Sequence, residues 1–144
     1  MRYLTYLLEG QPRLGALHQN YIVDVAKLVG GPDTMLNFIQ AGPEHWQKTA
    51  SVFANVDAVN LSSEGIAIPY DDSLLLAPIP RPLKNVFCLG RNYYKHYLEG
   101  AVSRGEQEDK PPAAPIWFTK PPTAVNGPFD SIELDPEVTA QLDW

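Results

Sequence analysis

The sequence holds a single cysteine, Cys88, so no disulfide can form within the chain, and the fold must rest on burial and hydrogen bonding. Cys88 lies among Val86, Phe87 and Leu89, which favours a buried structural thiol over a nucleophile. No phosphate loop, serine elbow or His/Cys cluster is present, and His18 and His45 stand away from any partner at metal-ligand spacing. Both read as surface or turn residues. No apolar segment approaches the ~20 residues needed to cross a bilayer, and Met1-Arg2-Tyr3-Leu4 opens no signal-peptide pattern, so a cytoplasmic location is expected. Basic residues are also scarce: 11 stand against 17 acidic ones, for a net charge of -6, and they form no cluster. That balance argues against nucleic acid and anionic membranes as partners. It leaves room for an anionic substrate, because a few local cations can outweigh the mean field near a site.

What is present suffices for a hydrophobic core: 144 residues, 44% of them hydrophobic, enough for one domain or for one small domain and part of another. Arg2 to Leu8 and Leu14 to Leu17 flank a turn-rich stretch, Glu9-Gly10-Gln11-Pro12-Arg13, and Asn20 introduces a third extended piece, Tyr21 to Val25. An antiparallel sheet is expected there. After Gly30-Gly31-Pro32, Asp33 is placed to cap a helix over Thr34 to Gln40, and Gly42-Pro43 opens another running to about Asn55. Residues 1–70 thus read as a small α+β domain.

Pro69, Pro78, Pro80 and Pro82 surround the apolar run Leu74 to Ala77, and residues 71–85 read as a stiff connector that docks more than it folds. Beyond it, a buried strand is expected over Val86 to Gly90 and a helix over Tyr93 to Ala101. A polar, acidic loop follows over Val102 to Pro115, then strands over Ile116 to Thr119, Ser131 to Leu134 and Thr139 to Trp144. The fold class is α+β. The last strand ends without a turn or cap, so the chain reads as truncated relative to its fold.

Gly90-Arg91-Asn92 forms a strand-to-helix turn, a place where free backbone N–H groups favour anions. At ~100° per residue, Asn92, His96 and Glu99 share one helix face, opposite Tyr94, Tyr97, Leu98 and Ala101. A carboxylate bonded to one imidazole nitrogen fixes the tautomer and raises the basicity of the other, which is what a general base requires. The same spacing also describes an ordinary solvated surface pair. Arg91 suits a bidentate grip on a carboxylate, or a local surface ion pair. Lys120, at the end of an apolar strand, can reach a ligand at the sheet end or simply solvent. Asp130, Glu133, Asp135 and Glu137 alternate in a way that suggests a cation site, but turn solvation explains them as well.

Leu76-Ala77-Pro78-Ile79-Pro80-Arg81-Pro82, Asn85-Val86-Phe87-Cys88-Leu89-Gly90-Arg91-Asn92-Tyr93, then His96 and Glu99, resemble the fumarylacetoacetate hydrolase superfamily. Pro115-Ile116-Trp117-Phe118-Thr119-Lys120-Pro121 and Glu137 to Trp144 resemble its next two blocks in the same order. The resemblance implies a catalytic domain built as a mainly antiparallel β-roll, begun here over residues 86–144. It also implies a homodimer and Mg²⁺ or Mn²⁺ holding the oxygens of a small oxo-acid or dicarboxylate-like substrate. His96 would be the base, Glu99 would orient it, and Arg91, Asn92 and Lys120 would bind substrate. Hydrolysis of acylpyruvate-like compounds or decarboxylation of oxaloacetate-like ones is the leading expectation, with isomerase or tautomerase chemistry as the alternative. In the family a Glu-x-Glu metal motif follows the Leu-Asp-Trp block. The sequence stops at Trp144, so the metal ligands are expected to be absent from this chain. The chemistry is therefore expected of the complete protein, with the 144-residue chain alone expected to be inactive, and a catalytically inactive fragment or binding domain is the alternative from a different class.

Overall fold

The computed structural model describes residues 1–103, 105 and 113–142, with the backbone alone at residues 99 and 101–103. The chain forms two compact units, one of Met1–Pro80 with Asn126–Trp144 and one of Arg81–Val125.

The first unit is built on an antiparallel sheet. Strand β1 (Arg2–Leu8) pairs along its whole length with β2 (Gln11–His18), from Arg2 opposite Leu17 to Leu8 opposite Gln11. The turn between them is only Glu9-Gly10, with φ of 51° and 76° at the two residues. Positive φ at both central positions gives the turn whose twist matches paired strands. The ladder therefore resumes at Gln11, three residues before the expected Leu14. Pro12 is tolerated in it because Leu7 opposite Pro12 follows the hydrogen-bonded pair at the turn, and so needs no N–H from the proline. Gln19-Asn20, with φ of 48° and 66°, makes the same kind of turn into β3 (Tyr21–Asp24).

Strand β3 stops at Asp24 because that carboxylate accepts a hydrogen bond from the Lys27 N–H at 2.9 Å and so caps α1 (Val25–Val29). The next helix, α2 (Met35–Ala41), is capped by the Thr34 hydroxyl and not by the expected Asp33, whose carboxylate lies 3.5 Å from Arg13 instead. Pro43 opens α3 (Pro43–Phe53), as its fixed φ and missing N–H predict. Asp57 caps α4 (Ala58–Ser63), a helix that the apolar spacing did not suggest, and β4 (Ala67–Pro69) follows it. The proline-rich segment adds β5 (Leu75–Leu76) on the far side of β1, giving the sheet order β4-β3-β2-β1-β5. The Thr5 hydroxyl ties that segment down by donating to the Pro78 carbonyl at 2.6 Å. Leu14, Ala16, Val23, Val25, Phe38, Phe53, Leu61 and Ala67 form the core between sheet and helices.

His18 and His45 do not lie free on the surface. His18 is half-buried, with Nε2 3.1 Å from the Val56 carbonyl and its ring edge-on to Phe53. His45 is half-buried too, and its Nε2 faces Gly31. The strand expected over Ser131 to Leu134 is absent, and the described part of Thr139 to Trp144 is not a strand either. Turn chemistry takes over there: the Asp135 carbonyl accepts from Val138 and Thr139, the Asp135 carboxylate from the Glu137 N–H, and the Thr139 hydroxyl from the Gln141 N–H. Asp130 likewise closes a turn through the Gly127 N–H at 2.8 Å.

The second unit contains the hairpin of β6 (Val86–Gly90) and β7 (Ile116–Lys120), joined through α5 (Tyr94–Ser103). The acidic loop of the sequence falls mostly on residues 104 and 106–112, outside the described residues. β6 is a strand as expected, but not a buried one. A two-stranded ladder has two faces, and Val86, Phe87 and Leu89 are exposed while Cys88 is only half-buried. The architecture is α+β with antiparallel sheets. No helix among the described residues is long and apolar enough to cross a membrane.

Candidate functional site

Apolar residues with high strand propensity carry β6 up to Gly90, where Gly90 pairs with Ile116 at the end of the ladder. The chain then reverses at Arg91, which adopts φ of 52°. A left-handed backbone at a residue other than Gly, Asn or Asp is uncommon and costs roughly 1–2 kcal/mol. It turns the chain from strand to α5 within three residues, and the Tyr97 N–H then closes the first helical turn on the Tyr93 carbonyl at 3.1 Å.

A cavity of about 250 Å³ opens at this reversal, lined by Leu89, Gly90, Arg91, Asn92, Ala113, Ala114, Pro115 and Ile116. One wall is the small-residue stretch before β7, and the polar wall is Arg91 and Asn92. The cavity is shallow and solvent-accessible, of a size for a small acid. Arg91 is half-buried, and its guanidinium carbon lies 5.8 Å from the centroid of the Tyr97 ring. Among the described residues no carboxylate pairs with Arg91; the ion pairs there belong to Arg13, with Asp24 and Asp33. Tyr97 itself is 1% exposed, the one large side chain of α5 that is buried among those described. Sequence spacing put Tyr97 on the apolar face of the helix but gave no sign that it lies under Arg91.

His96 is exposed on α5, and its ring centroid is 5.3 Å from that of Tyr93, with the planes tilted by 33°. The partner assigned to it, Glu99, has a side chain outside the described residues, so the pairing of the two lies outside them as well. Lys120 is not brought to the cavity. It sits opposite Val86 at the other end of the same ladder, four residues from Ile116, or about 13 Å along the strand.

No three His, Cys, Asp or Glu side chains converge among the described residues. These residues alone therefore do not fit the divalent ion that the sequence resemblance implies.

Residues 85–144 match the family described as fumarylacetoacetate (FAA) hydrolase, C-terminal. Oxaloacetate tautomerase YisK of Bacillus subtilis is 44% identical over 70 residues, which are 49% of this chain and 22% of that protein. A mitochondrial oxaloacetate tautomerase of Bos taurus is 35% identical over 113 residues, 78% of this chain and 31% of its own length. A fumarylacetoacetate hydrolase domain-containing protein 2 homolog of Dictyostelium discoideum is 30% identical across 99% of this chain and 42% of its own. Among solved structures, a fumarylacetoacetate hydrolase from psychrophilic Exiguobacterium antarcticum superposes with a TM-score of 0.58 at 28% identity, covering 96% of this chain and 42% of that one. The chain thus spans less than half the length of these relatives. The order of the strand, turn and helix blocks, the matched residues and the shared fold agree: this chain belongs to the fumarylacetoacetate hydrolase superfamily.

Proposed function

We propose that the chain carries the anion-binding turn and the base of an enzyme that interconverts the keto and enol forms of an oxaloacetate-like acid. The observation that carries this reading is the cavity at Gly90, whose one described cation, Arg91, has no carboxylate of its own among the described residues. Its guanidinium offers two parallel N–H donors to a substrate carboxylate, and the Asn92 amide offers a further donor beside it. His96 takes a proton from the methylene carbon next to the oxo group. The C–H electrons become the C=C bond, the carbonyl π electrons move to oxygen, and the proton is returned to that oxygen to give the enol. Glu99 holds the imidazole in the tautomer that accepts the proton.

Two of the three relatives described above bear the name oxaloacetate tautomerase, which moves tautomerisation ahead of acylpyruvate hydrolysis and oxaloacetate decarboxylation. All three develop an enol or enolate at the same carbon, so one anion site serves each. The base takes the C–H proton in tautomerisation and a proton from water in hydrolysis, while decarboxylation releases CO2 with no C–H proton removed. A homodimer binding Mg²⁺ or Mn²⁺ is proposed for the complete enzyme, with donors other than the described residues, among which none converge. Lys120 has no part in this cavity.

The test is the rate of oxaloacetate keto–enol exchange with the chain present, followed by NMR, beside its rates of decarboxylation and of acylpyruvate cleavage. Exchange faster than the buffer rate, returned to that rate by His96→Ala, is expected. Unchanged exchange with the unaltered chain would reject the reading for this polypeptide. Because no metal donors converge among the described residues, an anion-binding module without turnover is the second reading. Arg91-dependent binding of oxaloacetate without exchange would favour it.

A further inference from the structure

We infer that Tyr97 is a positioning residue: its buried ring holds the Arg91 guanidinium at the cavity for a substrate carboxylate. The inference rests on the carboxylate-binding role proposed for Arg91 and adds what makes that role possible.

Three observations meet at this point. Arg91 lines the cavity and takes a left-handed backbone that most residues avoid, so the chain reversal is held by something other than its own preference. Its guanidinium carbon lies 5.8 Å from the Tyr97 ring centroid, inside the range in which a ring face attracts a cation. Tyr97 is 1% exposed on α5, whereas Tyr94 and Leu98 of the same helix, and Tyr93 just before it, face solvent. A buried ring is a fixed object, whereas a free arginine on a turn samples many rotamers and loses them on binding. Fixing the cation beforehand lowers that entropic cost. The contact uses no carboxylate or carbonyl, so the guanidinium keeps its N–H donors for a ligand.

The experiment uses the 144-residue chain and oxaloacetate as the probe, with its dimethyl ester as the uncharged control. NMR of the Arg91 side chain reads the platform without any ligand. Its resonances are expected to be displaced by the ring current of Tyr97, to stay displaced in Tyr97→Phe, and to return to ordinary values in Tyr97→Leu. An undisplaced Arg91 signal in the unaltered chain would overturn the inference.

Affinity then separates the two layers. Arg91→Ala is expected to weaken oxaloacetate binding by a factor of ten or more, and Tyr97→Leu to weaken it roughly fivefold, the size of a partly desolvated cation–π contact. Tyr97→Phe should stay within about twofold, since it keeps the π face. Tyr97→Leu should add nothing in the Arg91→Ala background, and none of the variants should change binding of the ester. If Arg91→Ala leaves affinity unchanged, or the unaltered chain binds no oxaloacetate, the carboxylate role of Arg91 fails while the ring-current result still stands. If Arg91→Ala weakens binding and Tyr97→Leu does not, the positioning role fails alone. Should Tyr97→Leu not fold, fluorinated phenylalanines at position 97 keep the ring's volume while depleting its π face. Affinity falling with fluorine count supports the inference, and a flat series overturns it.

Discussion

At the scale of single residues, Asp24 carries the greatest structural demand in the first unit. It is 1% exposed, and its carboxylate accepts from the Tyr6 hydroxyl at 3.0 Å, from Arg13 at 3.2 Å and from the α1 backbone at Lys27. Removing it with Asp24→Ala takes from Arg13 its closer partner and leaves it Asp33 alone, strands the buried Tyr6 hydroxyl and uncaps the helix, and about 2–4 kcal/mol of stability should be lost, read from the urea midpoint by circular dichroism. Tyr6 is the milder probe. Burial first, and then the Asp24 charge and hydrogen bond, push its phenol well above its ordinary value. A phenol raised in the folded state stabilises the fold fully below the unfolded value of about 10 and loses that contribution as pH rises beyond it. Tyr6→Phe should cost about 1–2 kcal/mol at neutral pH through the lost hydrogen bond. It should also flatten the alkaline fall in stability that the unaltered chain shows. An equally steep alkaline limb in the variant would place the titration elsewhere. None of this network could be read from the sequence, because Tyr6, Arg13 and Asp24 come together only through the register of β1, β2 and β3.

Elements were legible where a local rule decided them and obscure where a single polar side chain did. The strands of the first sheet follow from apolar runs between turn residues, and α3 from Pro43 at its first turn. The short helices α1 and α4 carry little periodic signal. What makes them are the carboxylates of Asp24 and Asp57 at their N-caps. The strands expected after Asn126 fail for the converse reason: Asp130, Asp135 and Thr139 turn their hydrogen bonds inward on the local backbone. At the site, the strand, the turn and the helix were readable; Asn92, placed by spacing on one helix face with His96, precedes α5 and lines the cavity, whereas His96 is not among the cavity's lining residues. The platform under Arg91 was not readable, because a six-residue separation across a chain reversal has no helical period. The β1–β2 turn gives the prediction at this scale. Glu9 holds φ of 51° without the side chain best suited to it, and Asn at the same position tolerates that conformation. Glu9→Asn should raise stability by about 0.5–1 kcal/mol, seen as a higher thermal midpoint. The equivalent change at Gln19 should not help, because the Gln19 amide oxygen accepts from the Ala58 N–H at 2.8 Å.

For the molecule as a whole, the dominant fact is an exposed apolar hairpin. Phe87 is 67% exposed, Trp117 62% and Phe118 45%, and Val86, Leu89 and Ile116 are exposed as well. Opposite residues of an antiparallel pair share a face, so Phe87, Leu89 and Trp117 crowd one side of the ladder, while Val86, Phe118 and Ile116 occupy the other. Neither side is polar enough to be an ordinary solvent face, and two strands alone are only marginally stable in water. An apolar surface of this extent drives association or binds apolar dyes. The 144-residue chain should therefore enhance the fluorescence of an anilinonaphthalene dye and sediment with an average mass that rises with concentration. Phe87→Ser combined with Trp117→Ser removes the two most exposed rings of one face. It should reduce both effects while leaving the stability of the first unit unchanged, because the buried core of that unit uses neither residue. A chain that sediments as a monomer at every concentration and leaves the dye dark would show that the hairpin's faces are covered in solution.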